Sequence, residues 1–296
     1  MRHRLIQVFA LLVFVSVGVL AAGPSAERTD ELMHKSGLWN QLAEMAPLFA
    51  KGVDDASSRM GGANTPAVEA LRQAFATAYA ADRLRPVVAR QLALSLSAED
   101  VDASLEWLSG DLGQRITALE EKASTPEALR ERMETGAERA KALSPERLAQ
   151  YTRLAEAIHA GEVGATIMIN TASGLARGFN AALPGHGGAD ADQVRALMET
   201  RRPQLVALMA EQQIMFFAMS YATVSDDELE RYIAFAESPV GRRYQAATVV
   251  AVDKAMTDAA VETGHLLVSQ KSAQAASKMI ARRAGVHPAL RAKEMT

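Results

Sequence analysis

The stretches LSAEDVDASLEWLSGDLGQRI at 96–116 and VSDDELERYIAFAESPVGRRY at 224–244 stand 128 residues apart and share a pattern more than a sequence. Ser97 and Ser225 each precede an acid three residues later, Asp100 and Glu228, which is the reciprocal capping box that starts a helix. Val101, Leu105, Leu108 and Leu112 answer to Leu229, Ile233, Ala236 and Val240, and their spacing makes one apolar stripe on each helix. Trp107 answers to Phe235, about 120° around the helix from that stripe, so each copy offers a ring to a second neighbour. Both helices then break, at Ser-Gly-Asp and at Ser-Pro, and a glycine follows inside the next helix, Gly113 or Gly241. A glycine there lets another backbone come close, as in a tight helix–turn–helix corner. Such a pair constrains the chain to helices built on one plan used twice.

A second match precedes the first. At an offset of 126, FAKGVDDA at 49–56 faces LARGFNAA at 175–182, and a Gly-Gly-Ala follows each, at 61–63 and 187–189. Nine of the twenty-four positions from 49 to 72 are identical to their counterparts, and Lys51/Arg177 keeps a positive charge. We therefore expect an all-α helical bundle of two tandem related modules. The expected boundaries are a signal peptide at 1–22, module 1 at 28–122, a helical connector at 123–158, module 2 at 159–255, and a C-terminal helix with a basic tail at 256–296. The connector holds two helices announced by Thr125-Pro126 and Ser144-Pro145.

Composition agrees with helix. Aromatic residues make up only 5% of the chain, hydrophobic residues 49%, and no segment shows the β-branched alternation of strands. A length of 296 residues suits about two domains.

The start, MRHRLIQVFALLVFVSVGVLAAGPSA, has Arg2 and Arg4 before an apolar run and small residues after it, the plan of an export signal. The run falls short of the ~20 residues of a membrane span. We expect cleavage and a periplasmic location, with an uncleaved N-terminal anchor as the other reading. The chain contains no cysteine, so disulfides cannot hold it together outside the cytosol. Losing Arg2 and Arg4 moves the formal net charge from −3 to −5. That acidity argues against nucleic acid as a partner. Only the tail, with Lys278, Arg282, Arg283, Arg291 and Lys293, leans the other way, as a solvated helix end does.

The pattern Ser-x-acid-acid-Leu … Phe … Ser-Pro-x-Gly-Arg-Arg at 225–243 resembles the family catalogued as domain of unknown function 2059. The similarity extends best over about 200–255 and more loosely over about 72–122, where Ser-Pro has become Gly-Asp and the Phe has become Trp107. The resemblance implies an exported helical protein of a Gram-negative bacterium, and it transfers no catalytic residue.

Motifs that carry chemistry are sparse. There is no Gly-x-Ser-x-Gly elbow and no His-Glu-x-x-His, and His34, His159, His186, His265 and His287 are each isolated. PGHGGADAD at 184–192 lacks the acidic ligand pattern of a calcium loop and reads as a glycine-permitted turn. GEVGATIMINTASGLARGFNAAL at 161–183 contains Gly174-x-x-x-Gly178, and its polar interruptions point to close packing of helices within a bundle. QIMFFAMSYATV at 213–224 reads as a core helix. We therefore expect no cofactor and no metal.

The polar positions that stand out are the cations kept in both copies, Lys51/Arg177 and Arg115/Arg243. They complement helix carbonyls, or they receive an anionic group on a partner or lipid-like ligand. With Trp107 and Phe235 they form the candidate binding set. The functional expectation is a non-enzymatic periplasmic protein that binds an envelope protein partner or a hydrophobic or anionic small molecule. The alternative is a periplasmic hydrolase whose site is assembled between the modules, with a histidine in reach of a carboxylate.

Overall fold

Serine and threonine side chains start the helices the sequence marks for them. In the computed structural model, which describes residues 23–59, 65–182 and 190–283, the caps at Ser97, Thr125, Ser144 and Ser225 each accept a hydrogen bond from the backbone N–H three residues on. Both capping boxes close, with the Asp100 and Glu228 side chains reaching back to the cap N–H. The helices are α1 (Ala26–Lys35), α2 (Leu38–Arg59), α3 (Pro66–Ala78), α4 (Ala81–Ser95), α5 (Ala98–Ser109), α6 (Asp111–Ala123), α7 (Pro126–Lys141), α8 (Pro145–Ala157), α9 (Ala160–Ala182), α10 (Ala191–Glu199), α11 (Arg202–Ser220), α12 (Asp226–Glu237) and α13 (Pro239–Arg283). No strand occurs among the described residues. The expected signal segment, the Gly-Gly-Ala segments at 61–63 and 187–189, most of the loop at 184–192, and the basic side chains of the tail lie outside the described residues.

The runs α1–α6 and α8–α13 follow one itinerary. α1 packs on α2, α4 and α5, as α8 packs on α9, α11 and α12; α2 packs on α3 and α4, as α9 packs on α10 and α11. Even an ion pair recurs: Arg28 on α1 binds Asp102 on α5, and Arg153 on α8 binds Glu230 on α12, at 2.8 Å. Asp102 and Glu230 are 128 residues apart, the same offset as the capping boxes.

The last helix of each run crosses over. α6 keeps its corner with α5 and also packs on α11 and α12, while α13 packs along α9 of its own run and also on α3, α4 and α5 of the other. The apolar interior accordingly forms two mixed cores. One joins α1–α5 side chains such as Leu32, Tyr79 and Val101 to Tyr244, Ala251 and Met256 of α13. The other joins Ile116 of α6 to Tyr151, Phe217, Tyr221, Leu229 and Ile233. Neither run completes its core without a helix from the other.

Two expected boundaries therefore differ from the fold. The line at 255/256 falls inside α13, which runs unbroken from Pro239 to Arg283. α8, placed in the connector, packs with α11 and α12 and leaves α7 as the one helix between the two runs. The expected close packing of 161–183 is met where α9 crosses α13: Gly174 faces the Thr257 carbonyl and Gly178 the Val261 carbonyl. Among the described residues no helix is long and apolar enough to cross a membrane.

Candidate functional site

Four of the six candidate residues meet at the junction between the two runs. Trp107 of α5 stacks on Phe235 of α12, with ring centroids 4.1 Å apart and planes 9° from parallel. Both rings are half-buried and touch both cores. The expectation that each ring serves a second neighbour holds, and the neighbour is the other ring.

The two arginines bridge the junction in opposite directions. Arg115 of α6 binds Glu228 at 2.5 Å, and Arg243 of α13 binds Asp100 at 2.6 Å. Each arginine thus grips the capping-box acid of the opposite run, and Arg115 also donates to the Thr223 carbonyl. The side chains of Arg115 and Arg243 are 41% and 54% exposed, so each pair is worth about 1 kcal/mol or less. A stacked ring pair contributes ~0.5–1.5 kcal/mol beyond the area it buries. The rings hold the junction and the arginines fix its register. Burial opposes ionisation of Asp100, yet hydrogen bonds from Arg243 and Ser97 outweigh it and hold the carboxyl below its usual range.

Lys51 and Arg177 are not drawn into this junction. Lys51 binds Asp55 one turn along α2, at 3.1 Å, and Arg177 is exposed on α9.

Beside the junction lies a group that the sequence did not mark. Glu120 on α6 accepts hydrogen bonds from the Tyr221 hydroxyl and, at 3.0 Å, from the Tyr232 hydroxyl, and Tyr232 stacks in turn on Trp107. Burial pushes the Glu120 carboxyl up; the two hydroxyls pull it back, and the neighbouring Glu121 charge adds to the rise. A carboxyl raised by folding binds its proton more tightly in the folded chain, so stability falls as pH rises from the unfolded value near ~4.3 through the folded one. Glu120→Gln should remove that loss. In urea titrations the variant's stability relative to wild type should be higher at pH 8 than at pH 5. An equal difference at both pH values would show that Glu120 does not titrate in this window.

Among the clefts on the surface of the described residues, two flank α11. One, of about 560 Å³, lies between α8, α9 and α11 and is lined by His159, Glu156, Glu162 and Glu211 over apolar Val206 and Ile214. His159 adopts a left-handed backbone with φ of 52° at the α8–α9 break. Its three carboxylates are exposed. Among the described residues no histidine makes a hydrogen bond or ion pair with a carboxylate; His34 instead stacks on Trp39 at 4.3 Å. No group of three or more His, Cys, Asp and Glu side chains among them could hold a metal ion.

The other cleft, of about 610 Å³, runs between α6, α7 and α11. Leu119, Ala128 and Met219 supply its apolar wall, and Lys122, Arg130 and Arg132 point cations at it. α7 is lightly held: Gly136, its one buried residue, sits on Met215 of α11, while Met133 is 68% exposed. Sequence spacing could not find this cleft, because α7 alone shows only an alternation of charges with few apolar positions.

No family model, curated protein or solved structure matches this chain.

Proposed function

We propose that the chain is a non-enzymatic, exported helical protein of the bacterial envelope that binds a small amphiphilic molecule in the cleft between α6, α7 and α11. The observation that carries the reading is the cleft itself. At about 610 Å³ it has the size of a small-molecule site and joins an apolar wall to a few convergent charges. α7, lightly packed and without a counterpart in either run, can shift to admit a guest without disturbing the two cores. The arginine-rich leader and the resemblance of 225–243 to domain of unknown function 2059 support export to a Gram-negative periplasm. The paired capping boxes and matching itineraries support duplication of one helical unit.

The junction residues Arg115, Arg243, Trp107 and Phe235 serve this function by holding the cleft's walls in place. Each already has a partner within the chain, so none is left to receive a ligand.

Native mass spectrometry of the protein gently extracted from envelopes tests the reading. We expect the chain mass plus a discrete adduct of several hundred daltons, lost when Ala128→Trp fills the cleft. A clean unliganded mass, together with no uptake of an apolar fluorescent probe, would overturn it and direct attention to a protein partner.

A further inference from the structure

We propose that the guest of this cleft carries a single anionic head group, and that the Arg132 guanidinium receives it. The inference rests on the binding reading above and adds the chemistry of the ligand.

Arg132 projects from the middle of α7, where its stem packs beside Gly136 so closely that a Cβ on the glycine would lie 3.1 Å from the Arg132 Cγ. Its guanidinium stands 5.3 Å from the centroid of the Phe216 ring on α11. A ring face of this kind attracts a cation without neutralising it. Among the described residues no carboxylate forms an ion pair with Arg132, whereas Arg139 on the same helix and the same cleft is satisfied by Glu131 at 2.8 Å. Burial therefore lowers the affinity of Arg132 for its proton, and nothing opposes it. Arg28, Arg72, Arg153 and Arg202 all move the other way, because each is bound by carboxylates.

A half-buried guanidinium without a counter-ion is costly, and a guest anion relieves the cost by supplying the paired, bidentate contact that the chain withholds. Leu119, Ala128 and Met219 beside it suit an alkyl chain. With Glu131 paired to Arg139, the remaining Lys122, Arg130 and Arg132 face Glu127 and Glu134, which leaves the cleft one surplus positive charge. The head group is thus monoanionic, and a long-chain carboxylate is its simplest form.

The test compares dodecanoate with dodecanol, both below their aggregation limits, by isothermal titration calorimetry on the full chain at pH 7. We expect the acid to bind at least ten-fold more tightly than the alcohol. Arg132→Gln should bring the acid down to the level of the alcohol, and Arg132→Lys should keep part of the difference. Equal affinities for acid and alcohol in the unaltered protein would overturn the head-group assignment and leave the cleft standing as an apolar site. Binding of neither would overturn the cleft reading itself. The acid-to-alcohol ratio on the unaltered protein decides the matter even if the Gln variant does not fold.

Discussion

Gly241→Ala is expected to lower the stability of the folded chain by about 3 kcal/mol, read as a drop in the urea midpoint at an unchanged slope. A Cβ on Gly241 would lie 2.0 Å from the Phe235 carbonyl oxygen and 3.1 Å from the Ala236 Cα, where α12 turns through Ser238 into α13. Both obstacles are backbone, so the corner must open, and opening it tilts α13 away from the first core and loosens the Arg243–Asp100 contact. Ser238 makes the corner tighter still, since its hydroxyl accepts from the Gly241 N–H at 3.0 Å and thereby starts α13. Gly113 stands in the same relation to its own corner, with a Cβ 2.2 Å from the Trp107 carbonyl oxygen, and Gly113→Ala should cost a similar amount. If either variant melts with wild type, the corner is more pliable than this geometry allows.

The second large effect separates two glycines that the sequence writes as equivalents. Gly52 and Gly178 stand 126 residues apart, at matching places in the two similar phrases. A Cβ on Gly178 would lie 2.1 Å from the Val261 carbonyl oxygen and 3.0 Å from the Gly264 Cα, because α9 and α13 cross with almost no space between their backbones. A Cβ on Gly52 would meet nothing within 4 Å. Gly178→Ala should therefore destabilise by about 3 kcal/mol, as α9 and α13 are forced apart. Gly52→Ala should stabilise by ~0.5–1 kcal/mol, since alanine restricts the unfolded chain and fits the helix without strain. Two losses of equal size would mean that α2 meets a neighbour where this structure shows open space.

The same comparison shows where sequence reasoning ends. Helix starts were legible because a cap is local: Ser97, Thr125, Ser144 and Ser225 bond to N–H groups three residues away, and no distant contact is needed to place them. The corners were legible for the same reason, since the carbonyl that excludes a side chain at Gly113 or Gly241 belongs to the preceding helix. Charge kept at Arg115 and Arg243 was visible, and so were the rings at Trp107 and Phe235. Their partners were not, because Glu228 and Asp100 lie more than a hundred residues away, and a spacing of helix positions carries no information about which run a helix will join.

Sequence alone thus determined that this chain is helical, where the helices capped by Ser97, Thr125, Ser144 and Ser225 begin, and that two of its segments follow one pattern. Only the tertiary structure decided that α6 and α13 cross over. Their apolar positions do not say which helices will cover them, and the choice depends on packing summed over both cores. With that crossing go the reciprocal arginine grips and the stacked rings between the cores, whereas the divergence of Gly52 from Gly178 arises within the runs. α6 ends at Ala123 and α13 continues to Arg283, so only the second run has a long helix to meet its glycine. The cleft under α7 belongs to the same level, because a desolvated Arg132 without a counter-ion exists only once α7 has settled on α11.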